Sequence, residues 1–238
     1  EWLEQDMVSL VGTGVMTGAL ERARANGAFQ LNEGYYHAYS AEIAALNGNS
    51  RKVLSAGASA LDSLPEAEVL VRARVTLRMA DAAWRQDLND QALLLYQQAW
   101  QWDPGLVRRL GVALPVVFRS DTSALADEAV AILKRSPRFR DNSIGLGITV
   151  SATPELRACL NNPNGEALLC YTFDPVTDNS GDAVAVAAVF SRQFHSELFG
   201  LGYDISKAQR SRLLGSSVIL SSQTNSNLRT SRDAFLGR

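Results

Sequence analysis

The sequence is poor in the residues from which most metal and catalytic sites are built. Its 238 residues include two histidines, His37 and His195, and two cysteines, Cys159 and Cys170. A zinc site needs four ligands in register, and these four residues lack that spacing. The chain also lacks a Walker P-loop and a Gly-x-Ser-x-Gly nucleophile elbow. We therefore expect no metal, no cofactor and no catalytic residue.

Long apolar runs and a strong net charge are missing too. No stretch reaches the ~18 apolar residues that span a bilayer, so we expect no transmembrane segment. The net charge of −2 favours neither nucleic acid nor an anionic membrane. Residues 205–238 carry six basic side chains against Asp233. Without interleaved aromatics, this basic tail predicts a solvated face or an acidic partner surface, and no nucleic-acid partner.

What is present is ordinary globular composition. Hydrophobic residues make up 46% of the chain and charged residues 20%, which excludes disorder over most of its length. A chain of this length forms one large domain or two small ones.

Residues 72–104 give the clearest helical pattern. A polar break at 86–90 separates two segments, and the second has apolar residues at the spacing of one helix face. Asp103 precedes Pro104, which disfavours helical geometry in the residue before it. The pattern predicts a helical hairpin that ends at Pro104.

Small residues, an aromatic and a proline recur in this hairpin at Ala80, Ala92, Tyr96, Ala99 and Pro104. This spacing resembles a tetratricopeptide repeat, in which alanines let paired helices approach closely. A degenerate copy precedes it, with its small residues and proline at Ala41, Ala44, Ala60 and Pro65 and with Gly57 in place of the aromatic. A third unit, residues 105–117 and 123–135, would end at Pro137, and residues 2–26 would supply a capping helix or a pair of helices.

The resemblance also implies a concave groove lined by the first helix of each hairpin. Aromatic and arginine side chains are the residue types that dominate binding hot spots. The residues that the repeat register places in the groove are Tyr35, Arg74, Asp81, Trp84 and Arg85.

The N-terminal segment has a competing interpretation. Gly12, Gly14 and Gly18 follow a short apolar run, and Glu33 lies some twenty residues further on. This arrangement resembles a dinucleotide-binding fingerprint, although the third glycine is one place late. The apolar spacing of the same residues also fits one long helix.

The character of the chain changes near Pro137, which predicts two domains, 1–137 and 138–238. In the second we expect strands at 146–151, 166–173 and 217–222, and helices at 154–160, 182–199, from Asp204, and at 227–236. The order predicts an α+β fold, with N-terminal tetratricopeptide-like helical hairpins followed by a small α/β domain of mixed sheet and helices. This order resembles, without a shared motif, the small α/β domains of bacterial envelope lipoproteins and curli-type assembly factors.

Ten residues separate Cys159 from Cys170, and residues 161–165 read Asn-Asn-Pro-Asn-Gly, a strong turn signal. A turn there folds the flanks back on each other and brings the thiols within reach of a disulfide. Two buried free thiols are the alternative.

These features favour a non-enzymatic interaction or scaffolding protein, with a protein or peptide partner in the helical groove. A bacterial cell-envelope assembly is the expected setting, because the first residue is Glu1 rather than Met, lysine is rare and the cysteine spacing suits an exported or periplasmic protein. The alternatives are a nucleotide-dependent enzyme that uses the Gly-rich segment 12–18, and a structural subunit of a homo-oligomeric envelope complex.

Overall fold

The computed structural model describes residues 2–173 and 182–199, with side chains from Gly12 onward. All of them belong to one compact unit, Glu1–Leu201. In chain order the elements are α1 (Trp2–Ala25), α2 (Gly34–Leu46), α3 (Ser50–Ser63), α4 (Val69–Trp84), α5 (Asn89–Trp102), α6 (Leu106–Arg109), β1 (Leu114–Ser120), α7 (Ala124–Lys134), β2 (Phe139–Asp141), β3 (Leu146–Ser151), β4 (Arg157–Asn161), β5 (Ala167–Thr172) and α8 (Ala183–Leu198).

The order of elements is α+β, as the sequence predicts: a helical region precedes a mixed five-stranded sheet and a final helix. Some predicted features lie outside the described residues. These are the helix from Asp204, the strand 217–222, the helix 227–236 and the basic tail.

Two helical hairpins, α2–α3 and α4–α5, make up most of the helical region. Alanines occupy the predicted close-packing positions, and all of them are at most 2% exposed: Ala41, Ala44, Ala60, Ala80, Ala92 and Ala99. Gly57 extends this close packing, because a Cβ built there would lie 2.5 Å from both Cγ and Sδ of Met79. Met79 of α4 therefore fills the space that the missing aromatic leaves.

The helix α1 packs against α2 and covers residues 2–25, as predicted for a capping helix. It is kinked at Gly12, whose φ of 69° is a conformation that glycine adopts without a steric penalty. The glycine-rich segment lies within this helix, so it lacks the strand that a dinucleotide fingerprint requires.

The sheet has the order β2-β1-β3-β4-β5. β1 pairs in parallel with β2 and β3, while β3, β4 and β5 form an antiparallel meander. Alternate residues of β3 are buried, as expected for a strand with one face on a core. The helices α7 and α8 pack on each other and against the sheet.

Two predictions for this region are wrong. Residues 114–117, expected at the end of the first helix of a third repeat (105–117), belong to β1 (Leu114–Ser120), because the Pro-Val-Val-Phe run suits an extended strand better than a helix. Residues 154–160, expected as a helix, contain β4, where Leu156, Ala158 and Leu160 are buried at a period of two. The second helix expected for the third unit, 123–135, is present as α7 (Ala124–Lys134), whereas its first helix gives way to β1, so this unit does not form a helical hairpin.

The strand predicted at 146–151 and the helix predicted at 182–199 are confirmed as β3 and α8. The strand predicted at 166–173 is confirmed as β5. The division into domains 1–137 and 138–238 stays a prediction. The strand β1 and the helix α7, which pack with the rest of the sheet, lie on the N-terminal side of residue 137.

The predicted turn at residues 161–165 joins β4 to β5. The side chain of Asn162 accepts a hydrogen bond from the backbone N–H of Glu166 at 2.9 Å, and Gly165 has a φ of 88°. Cys159 and Cys170 consequently lie directly opposite each other, with Cα atoms 4.1 Å apart, and are joined by a disulfide.

One continuous core joins the second hairpin to the sheet. Leu77 and Tyr96 belong to the same buried cluster as Ile148 of β3 and Phe190 of α8. The first hairpin has its own smaller cluster, which includes Ala38, Val53 and Met79. The helix α4 contributes residues to both clusters, so packing on two sides holds it in place. The side chains that it presents to solvent are therefore carried by a rigid helix.

Candidate binding groove

The helices α2 and α4 lie side by side and present a line of charged side chains. Four residues at the end of α4, Arg74, Arg78, Asp81 and Arg85, recur at intervals of three or four, so they share one helix face. Glu42 faces them from α2. We call the surface formed by these five residues, with Trp84 and with Arg140 of β2 at its edge, the α2–α4 groove.

Glu42 joins the two helices of the groove. Its Oε1 accepts a hydrogen bond from Nε of Arg74 at 2.9 Å, and its Oε2 accepts one from Nε of Arg78 at 3.1 Å. The side chain of Glu42 is only 15% exposed and that of Arg78 only 17%. Since water is largely excluded there, these ion pairs are stronger than exposed pairs and hold both guanidinium groups in place.

Asp81 is the second centre of the groove. Its Oδ2 accepts a hydrogen bond from Nη2 of Arg85 at 2.6 Å, and its Oδ1 lies 3.8 Å from Nη2 of Arg140 on β2. The hydroxyl of the buried Tyr96 donates to Oδ1 at 3.5 Å. Burial first, and then the charge of Asp81, raise the pKa of Tyr96 well above its usual value, so Tyr96 acts as a neutral donor.

Trp84 lies near Asp81 because both contact Arg140. The guanidinium carbon of Arg140 is 6.0 Å from the centre of the Trp84 indole ring. This distance is at the outer limit of a cation–π contact. The rest of the Trp84 side chain packs against the main core. Trp84 is therefore partly a structural residue and partly a wall of the groove.

A shallow cleft opens where the turn of the first hairpin approaches α4. The residues that line it are Ala45, Gly48, Ser50, Val53, Arg78, Asp81, Ala82 and Arg85. It encloses about 30 Å³. Pockets that surround small molecules usually measure roughly 300–1,000 Å³, so the cleft is too small for a whole small molecule and can contact only part of a larger ligand.

Of the five residues predicted for the groove, Arg74, Asp81 and Trp84 lie on α4 and Arg85 caps its end. Asp81 and Arg85 line the cleft, Arg74 binds Glu42, and Trp84 is partly buried against the core. Tyr35 is placed differently, in the first turn of α2, half-buried against the core of the first hairpin. Burial and the nearby Glu68 carboxylate raise the pKa of Tyr35 to about 12.

Three residues of the groove are not among those that the sequence predicts: Glu42, Arg78 and Arg140. The first two carry a usable signal, because Arg78 lies four residues after Arg74 on the same helix face and Glu42 is the acid of the neighbouring helix. Arg140 comes from a strand, and its approach to Asp81 depends on how the sheet packs beside α4.

A contact between a serine and a histidine is the other arrangement of side chains that resembles part of a catalytic site. Nε2 of His195 lies 2.9 Å from Oγ of Ser136, and the imidazole ring packs edge-on against Phe139 and Phe199. Burial, and then the nearby Arg138, lower the pKa of His195. In the described part of the chain no carboxylate bonds the other ring nitrogen, so the third group that orients a catalytic base is missing.

The described residues contain no cluster of three or more His, Cys, Asp or Glu side chains placed to hold a metal ion. None of the helices described is long and apolar enough to cross a bilayer. The chain matches no protein-family model, no curated protein and no solved structure.

Proposed function

We propose that this protein is a non-enzymatic interaction or scaffolding component that binds a protein or peptide partner in the α2–α4 groove. The observation that carries the proposal is the cleft between the first hairpin and α4, where the partly buried Arg78 and Asp81 and the exposed Arg85 lie beside small side chains. Charged groups held by ion pairs on two rigid helices form a pre-organised surface, which reduces the entropy cost of binding.

In this proposal the two hairpins are tetratricopeptide-like units. Support comes from the buried alanines at the repeat positions and from the helix end at Pro104. A bacterial cell-envelope assembly, reached by export, is the proposed setting. The Cys159–Cys170 disulfide supports it, because such bonds persist in oxidising compartments.

Site-specific photo-crosslinking tests the groove. Benzoylphenylalanine at Ala45, which lines the cleft, should give a discrete adduct with a partner from the source organism. The same group at Leu94 of α5, 65% exposed, serves as the control and should give none.

The second half of the test uses Arg85→Ala in the Ala45 crosslinking protein. Arg85 has a side chain that is 56% exposed, so this change should leave the fold intact and reduce adduct yield at least fivefold. Trp84→Ala is a less decisive variant, because Trp84 also packs on the core. Equal adducts from Ala45 and Leu94 would show that the partner site is elsewhere.

A further inference from the structure

We infer that the segment recognised by the α2–α4 groove is an extended acidic peptide of a partner protein, whose Asp or Glu side chains bind Arg78 and Arg85. This inference rests on the proposed function and specifies the chemistry of the partner. It is based on three observations: the charge balance of the groove, the unused donors of two arginines and the shape of the cleft.

The groove has more cations than anions. Apart from Arg74, its guanidinium groups belong to Arg78, Arg85 and Arg140, while its carboxylates are those of Glu42 and Asp81. Each carboxylate is shared between two arginines. The surface is thus left with positive charge, in a protein whose net charge is −2. Such a local field attracts an anionic segment and repels a basic one.

Arg78 and Arg85 both retain donors for a ligand. Arg78 uses Nε to bind Glu42, and Arg85 uses Nη2 to bind Asp81. Among the described residues nothing accepts a hydrogen bond from either Nη of Arg78 or from Nη1 of Arg85. Both side chains line the cleft, so their free N–H groups are available to a carboxylate that enters it. Arginine suits this role because its planar fork binds carboxylates in a fixed geometry.

The shape of the groove favours a peptide over a small anion. From Arg74 to Arg85 the groove follows about 16 Å of helix at 1.5 Å per residue. An extended peptide covers that length with about five residues at 3.3 Å each. The cleft beside Arg78, at about 30 Å³, is too small to enclose a small molecule, so a ligand must lie along the groove rather than inside a pocket.

The experiment uses three fluorescein-labelled nine-residue peptides with the full chain. One alternates Glu and Ala, and the others replace every Glu with Gln or with Lys. Fluorescence anisotropy at 50 mM NaCl should give saturable binding of the Glu peptide and at least tenfold weaker binding of the other two. At 300 mM NaCl the Glu peptide should bind more weakly, because salt screens the charges.

Variants distinguish groove binding from general charge attraction. Arg85→Gln should weaken binding of the Glu peptide at least tenfold, and Arg78→Gln should do the same. Arg51→Gln is the matched control, because Arg51 is exposed on α3, and it should change the affinity less than twofold. Arg78 is the less exposed of the two, so Arg78→Gln could disturb the fold. In that case Arg85→Gln still tests the inference, because the exposed Arg85 side chain can be replaced without loss of folding.

Three results would overturn the inference: no saturable binding of the Glu peptide up to millimolar concentration, equal binding of the Glu and Gln peptides, or an equal loss in Arg51→Gln and Arg85→Gln. Photo-crosslinking at Ala45 distinguishes a failure of the acidic-peptide inference from a failure of the proposed partner-binding function. An adduct whose crosslinked segment is neutral or basic would leave the groove as the partner site and exclude the acidic peptide.

Discussion

The indole Nε1 of Trp100 donates a hydrogen bond to the backbone oxygen of Leu198, 2.8 Å away, and so ties the second hairpin to the end of α8. Trp100 is 5% exposed and belongs to the continuous core. The bond satisfies a buried carbonyl at the helix end, where no intrahelical donor remains.

Replacing Trp100 with Phe should therefore lower the free energy of unfolding by about 1–3 kcal/mol, because the carbonyl of Leu198 loses its donor while most of the ring packing remains. Urea denaturation followed by circular dichroism measures this difference. Trp102→Phe, at the more exposed end of the same helix, is the control and should change stability by less than about 0.5 kcal/mol. An equal effect of both substitutions would mean that ring volume, not the hydrogen bond, determines the loss.

Gly145 and Gly147 offer a matched pair beside the sheet. A Cβ at Gly145 would lie 2.7 Å from the backbone of Pro115 and Val116, whereas one at Gly147 would meet Asn161 at 3.4 Å. Gly145→Ala should cost about 1–3 kcal/mol of stability, since the strand backbone must move. Gly147→Ala should be neutral to within about 1 kcal/mol. Thermal denaturation of both variants tests the expected order, and a reversed order would contradict the approach of residue 145 to β1.

The helical hairpins were predictable because their signals are local. Buried alanines at helical spacing, together with Pro104, specify two helices that pack closely. The expected third repeat places residues 105–117 in a helix, so the sequence does not predict the strand β1. Its extended conformation depends on pairing with β2 and β3, which lie further along the chain.

The same distinction applies to the groove. Arg74, Asp81 and Arg85 were identifiable because the resemblance to the repeat register predicts them, and helix periodicity places them on one face. Arg140 was not, since its distance of 3.8 Å from Asp81 results from the packing of the sheet edge beside α4. Tyr35 was assigned to the groove by register, yet its aromatic ring gains more from burial against the first hairpin.

The Cys159–Cys170 disulfide closes the β4–β5 hairpin, with a sequence separation of 11. The loop-entropy model predicts that a bond across such a separation stabilises the protein by about 2–3 kcal/mol. Dithiothreitol should therefore lower the urea midpoint of the wild-type chain. The Cys159→Ala/Cys170→Ala double variant should start from the lower midpoint and be insensitive to the reductant. A wild-type midpoint that reductant leaves unchanged would contradict a stabilising disulfide.

His195 links the turn after α7 to α8 through Ser136, and its environment favours the neutral ring. The unfolded chain takes up a proton near the ordinary histidine pKa of about 6.5. The folded chain, in which the pKa is lowered, does so only at lower pH. Between these two values the unfolded state binds more protons, so the free energy of unfolding falls as the pH falls. The contribution of neutral His195 is complete above about pH 6.5 and is lost on acidification.

His195→Gln removes this titration and keeps a polar side chain beside Ser136. We expect the variant to be less stable than the wild type at pH 7.5 and the difference to shrink at pH 5.5, because only the wild-type chain loses stability through this group. Urea unfolding at both pH values measures the two differences. If His195→Gln instead kept the full wild-type pH dependence, protonation of His195 would not be coupled to folding, and the Ser136 contact would carry no pH-sensitive stability.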